Sequence, residues 1–250
     1  MFFLLGSVVG AFGTLVGVGG GLILIPVFLW GFEYSAAQTI GTSLFIVLFN
    51  AISGTWAYIK QKKVFYHAAI RFGLATIPGA FLGSYVAHYF TGATFSLAFG
   101  LFLVFMSVMM YSKSSKQEKQ QPFDQKVFQY NSTLGIISSV GVGFISSVLG
   151  IGGGIIHVPM MIYALGFPTH VATATSTCVL ALSSFVGVIS HFILGHVLWL
   201  PGICVGIGAI VGAQIGAKIA TKTKPRAIII LLSIVVFFLG VRFIMSGMSV

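Results

Sequence analysis

GVGGGLILIP occupies residues 17–26, and GIGGGIIHVP repeats the pattern at residues 150–159, with a spacing of 133. Each cluster lies inside an apolar stretch, residues 1–31 and 132–165, that is too long for one membrane crossing. A continuous helix over the first stretch would run roughly 46 Å at about 1.5 Å per residue, whereas about 30 Å of hydrocarbon needs only about 20 residues. Glycine accepts positive φ and weakens a helix by about 1 kcal/mol relative to alanine, so these runs let the helix break. Backbone groups released there cannot face lipid, where each unpaired one costs several kcal/mol; they must be buried in protein or line a polar cavity. The stretch beyond the break, LILIP or IIHVP, begins a new half-helix whose N–H groups and positive dipole end point into the membrane. Such an end suits an anion.

The composition places the chain in a bilayer. Hydrophobic residues make up 57% and charged residues only 6%, against roughly 25% charged in a soluble domain. Apolar runs recur to the C-terminus, and the opening MFFLL lacks a basic n-region, so the N-terminus reads as part of the first membrane segment. The net charge of +10 does not indicate nucleic acid, because the basic residues cluster in short loops between apolar segments. Cys178 and Cys204 both fall within apolar segments and make neither a disulfide framework nor a metal site.

Apolar segments fall at about 1–31, 36–60, 66–90, 94–112, 132–165, 169–194, 197–220 and 226–246. A shift of 133 superposes them without a gap: Gly17, Gly19, Gly20, Gly21 and Pro26 on Gly150, Gly152, Gly153, Gly154 and Pro159, and Thr42-Ser43 on Thr175-Ser176. Gly54, Gly73, Gly79 and Gly83 likewise meet Gly187, Gly206, Gly212 and Gly216. The sequence predicts an all-α polytopic membrane bundle of two homologous four-segment repeats. Residues 1–112 form the first, 113–131 a polar cytoplasmic linker, and 132–250 the second.

Loop charge predicts their orientation. Lys60, Lys62, Lys63 and Arg71, the linker lysines, and Lys218, Lys222, Lys224 and Arg226 should all be cytoplasmic. Eight simple crossings would put the third cluster opposite the first two. If the first and fifth segments enter and return, all three share one face and the repeats have inverted topology. Equivalent loops then differ in charge, as KQKKV does from ILGHV and TKTKPR from YFTGAT.

Interrupted segments at matching places in two halves point to a transporter's site. All three acidic residues, Glu33, Glu118 and Asp124, fall in predicted loops, which leaves no mid-membrane carboxylate for a cation. Hydroxyl, amide and imidazole groups remain, and donors without fixed negative charge suit a small oxyanion. The candidate binding residues are Gly19, Gly20, Gly21, Thr42, Ser43 and Asn50 in the first repeat, and Gly152, Gly153, Gly154, His157, Thr175 and Ser176 in the second. Bland readings stand beside these. Thr and Ser in membrane helices often bond their own i−4 carbonyl, and His157 or His191 is as readily a packing histidine as a proton switch. Gly79, Gly83, Gly212 and Gly216 read as helix-packing residues. An intramembrane hydrolase built on Ser183, or on Ser190 with His191, is an alternative that leaves the duplication unexplained. A passive anion channel would use the same residues as a carrier.

With the duplicated GxGGGxxxxP motif, the Thr-Ser that follows each copy, and four segments per half, the chain resembles the TauE/SafE sulfite exporter family over nearly its whole length. The resemblance implies a multi-pass inner (plasma) membrane transporter, not an enzyme, that uses no cofactor and moves a sulfur-containing anion such as sulfite, thiosulfate or sulfoacetate. It implies that the glycines and prolines of the two motifs are the family's signature positions here. The expected partners are that anion and the lipid bilayer, with no nucleic acid; a homodimer is compatible with the sequence.

Overall fold

The computed structural model describes residues 1–87, 92–114 and 128–248, which form helices and short connections without a strand. The helices are α1 (Phe2–Val16), α2 (Gly21–Pro26), α3 (Ala36–Lys60), α4 (Tyr66–Ala87), α5 (Gly92–Ser114), α6 (Ser132–Leu149), α7 (Gly154–Tyr163), α8 (Thr169–Ile193), α9 (Trp199–Lys222) and α10 (Pro225–Met248). Seven of these, α3 to α6 and α8 to α10, are long and apolar enough to cross a membrane. Most of the proposed linker lies outside the described residues; its flanks continue α5 to Ser114 and cap α6 through the Asn131 side chain.

Both long segments are cut at their glycines. Gly17 ends α1 in the left-handed conformation, and Gly20, at φ 85°, opens α2. Gly150 and Gly153 do the same for α6 and α7, at φ 70° and 87°. A residue with a Cβ would lose about 1–2 kcal/mol in that conformation. The amides of Val18 and Gly19 both turn back to the Gly13 carbonyl, at 2.8 and 3.1 Å.

The cut reverses the chain. The ring of Phe2, at the start of α1, lies 5.2 Å from that of Phe32, just beyond α2. In the second half Tyr130, before α6, lies 5.3 Å from Phe167, beyond α7. Each pair is therefore a helical hairpin that leaves from the end at which it entered. Pro26 lacks the N–H that would continue the ladder, and the chain passes there into a π-helical turn, Val27–Gly31.

Small residues bring the remaining helices to backbone contact. A Cβ on Gly208, Gly212 or Gly216 of α9 would stand 2.1 Å from the carbonyl oxygen of Phe3, Ser7 or Ala11 of α1. Gly79 and Gly83 of α4 meet the carbonyls of Val140 and Phe144 on α6 in the same way, at 1.9 and 2.3 Å. These glycines are packing residues, as their four-residue spacing predicts. Helices α3 and α8 lie against each other between these two pairs, and α5 packs on α10.

Candidate functional site

The two hairpin turns meet. A Cβ on Gly21 would lie 2.9 Å from the Gly150 carbonyl oxygen, and one on Gly154 only 2.2 Å from that of Gly17. Ser43 of α3 donates to the Gly150 carbonyl at 2.5 Å, and Ser176 of α8 donates to the Gly17 carbonyl at 3.2 Å. Each hydroxyl thus caps the turn of the other half. Between the turns stand Val47 and Leu180, both fully buried; a Cβ on Gly19 would be 2.9 Å from Val47, and one on Gly152 2.6 Å from Leu180. The glycine breaks therefore face the protein interior and not lipid, as unpaired backbone at membrane depth requires.

The other candidates form a network that largely follows the 133-residue shift. Thr42 accepts from the Leu198 amide at 3.0 Å, and Thr175 from the Phe65 amide at 3.0 Å, so both hydroxyls fasten a loop of the opposite half. Asn50 donates to the carbonyls of Gly19 and Gly10, at 3.2 and 3.3 Å, and accepts from Thr14 at 2.5 Å. Its counterpart Ser183 donates to the Gly152 carbonyl at 3.2 Å. Side-chain donors therefore cover the carbonyls of Gly17, Gly19, Gly150 and Gly152, while the first turns of α2 and α7 leave amide hydrogens without intrahelical partners. With the negative ends of the turn dipoles occupied and the positive ends directed inward, the local field favours an anion.

His157 sits apart from the turns, its Nε2 3.1 Å from Ser139 Oγ. Ser139 donates its own proton to the Gly135 carbonyl at 2.6 Å, so the imidazole is the donor in the pair. That polarity is the reverse of what an activated serine needs. Of the two serines considered for a hydrolase, Ser183 donates to Gly152 and Ser190 to Val186 at 3.1 Å, while His191 meets His196 at 3.1 Å. Sequence reading missed Thr14, Tyr58 and Ser139. Tyr58 donates to the Thr14 carbonyl at 2.8 Å, and only the helical register of Thr14 ahead of Gly17 hinted at its place.

Residues 2–243 match the family model described as Sulfite exporter TauE/SafE. The chain belongs to that family. TauE/SafE membership makes it a membrane transporter, embedded by several apolar helices, of a family whose name points to a small anion. It is similar to the probable membrane transporter protein YunE of Bacillus subtilis, at 34% identity over 97% of this chain and 96% of that one. It is also similar to the probable membrane transporter protein MJ0441 of Methanocaldococcus jannaschii, at 30% identity over 76% and 71% of the two chains. A third relative, the probable membrane transporter protein ORF9 of Sinorhizobium sp, is 28% identical over 96% of this TauE/SafE chain and 90% of its own. No solved structure matches it.

Proposed function

We propose that this protein exports a small sulfur-containing oxyanion, such as sulfite, thiosulfate, sulfoacetate or a similar organosulfonate, across the inner membrane by alternating access. The observation that carries this reading is the meeting of the two glycine breaks in the interior, with their carbonyls covered by Ser43, Ser176, Asn50 and Ser183. The amides of Gly20 and Gly21 and of Gly152, Gly153 and Gly154 are the proposed anion donors, whereas the Gly19 amide is already given to the Gly13 carbonyl. Ser43, Asn50 and Ser176 hold those turns in place, Thr42 and Thr175 fasten the loops at Leu198 and Phe65, and His157 braces α7 against Ser139 of α6. In the conformation described, Val47 and Leu180 close the space between the turns. Sliding one hairpin past the other would uncover it from alternate sides.

The hairpins also support inverted repeats. With an entering and returning hairpin at the head of each half, three crossings follow it. The clusters around Lys60–Lys63, the linker, and Lys218–Arg226 then share the cytoplasmic face. An inside-negative potential drives an anion outward by about 2.3 kcal/mol per charge per 100 mV, so export needs no coupling ion. Purified protein in liposomes, loaded with sulfite, thiosulfate or sulfoacetate at imposed potentials, tests the reading. Saturable, potential-driven flux of at least one is expected. Absence of flux for all of them refutes the substrate class, and flux that never saturates assigns a channel instead of a carrier.

A further inference from the structure

The two breaks are not equivalent. Around the first, the polar groups are mutually satisfied: Thr14 donates to Asn50 at 2.5 Å, Asn50 donates to Gly10 and Gly19, and Tyr58 donates to Thr14 at 2.8 Å. The position after Asn50 is Ala51. Around the second, Asn50 is replaced by the shorter Ser183, and Ala51 by Ser184. Ser184 is fully buried, and its hydroxyl has no hydrogen-bond partner among the described residues. It is aimed at the break, because a Cβ on Gly152 would stand 3.5 Å from Ser184 Oγ. Ser146 lines the same turn, its Oγ 3.3 Å from the corresponding point on Gly153.

A buried hydroxyl without a partner is destabilising unless something arrives to accept its proton. We propose that the oxyanion is held asymmetrically, at the second break, with the Ser184 hydroxyl as a direct ligand beside the first-turn amides of α7. The inference rests on the transport reading above and deepens it by assigning the cargo to one of two pseudo-equivalent turns. The acceptor is an oxyanion oxygen, since Ser184 Oγ stands 3.5 Å from the Cβ position of Gly152, two residues before α7 begins with its free first-turn amides. Serine donors are matched by any tetrahedral or pyramidal sulfur oxyanion, so the site selects for charge and oxygen atoms more than for a carbon skeleton. Ala51 shows that alanine fits this position in the fold, so Ser184→Ala is a conservative probe.

The experiment measures flux of sulfite, thiosulfate and sulfoacetate in proteoliposomes, with melting temperature in detergent, for the wild type, Ser184→Ala and Ala51→Ser. Ser184→Ala should raise KM about tenfold, leave maximal flux within about twofold, and melt at or above the wild-type temperature without anion. Ala51→Ser should leave KM unchanged. A hydroxyl with a merely structural role would instead lower the melting temperature and spare KM. Wild-type flux with an unaltered KM in Ser184→Ala overturns the assignment of Ser184 alone, its hydroxyl then serving only a bound water. Absence of wild-type flux overturns both this inference and the transport reading.

Discussion

Gly154→Ala is the sharpest test of the contact between the hairpins. Gly154 begins α7 and is not among the glycines of positive φ, so alanine suits its backbone and any effect comes from what the methyl meets. The new Cβ would lie 2.2 Å from the Gly17 carbonyl oxygen and 2.7 Å from Val18 Cα, backbone that cannot rotate away. Ordinary contact begins near 3.4 Å, so the turns must part by about 1 Å. Overpacking of this kind costs about 1–3 kcal/mol, and weakening the Ser176 cap on Gly17 adds about 1 kcal/mol. The expected loss is about 2–4 kcal/mol. The mirror variant Gly21→Ala places its Cβ 2.9 Å from the Gly150 carbonyl and needs only about half that displacement, for a loss of about 1–2 kcal/mol. Chemical denaturation in detergent, followed by intrinsic fluorescence, ranks the two, and the same preparations in liposomes should show Gly154→Ala with the lower flux. Equal stabilities, or Gly21→Ala the weaker of the pair, would refute the close approach of the turns.

Asn50→Ala strips partners from Gly10, Gly19 and Thr14 at once and should cost about 3 kcal/mol or more, whereas Ser183→Ala, with one bond to lose, should cost about 1 kcal/mol; unfolding midpoints compare them. Gly212→Ala drives a methyl to 2.1 Å from the Ser7 carbonyl and should reduce the yield of folded protein sharply. Gly141→Ala, exposed on α6 with nothing within 4 Å, should be neutral or stabilising by up to about 1 kcal/mol. In a background lacking Cys178 and Cys204, cysteines at Lys62 and Lys224 should react with an impermeant thiol reagent only from the cytoplasmic side. One at Leu194 should react only from the other side, and labelling of all three from one side would end the inverted arrangement.

The breaks were legible because glycine runs, over-long apolar segments and a gapless internal repeat all pointed to the same residues. The packing glycines were legible for a simpler reason: Gly79 and Gly83, like Gly212 and Gly216, recur every four residues on one helix face. The roles of Thr42 and Thr175 were not. A hydroxyl has the same composition whether it binds cargo or fastens a loop, and its partners, the amides of Leu198 and Phe65, lie 156 and 110 residues away in sequence. Equally hidden was the reversed polarity of Ser139 and His157, because the deciding acceptor is a carbonyl one helical turn earlier on α6. The π-helical turn after Pro26 was also unseen, since Pro159 occupies the same place in the other repeat and α7 runs on to Tyr163.

The crossed caps have a consequence for how such a molecule could arise. Ser43 closes the turn at Gly150, Ser176 the turn at Gly17, Thr42 holds Leu198 and Thr175 holds Phe65. Each half therefore takes one cap on its glycine turn and one hold on a loop from the other half, so a single copy of the unit would need a second copy beside it to make those bonds. Severing the chain between residues 114 and 128 should accordingly leave two polypeptides that each misfold when made alone and reassemble when made together.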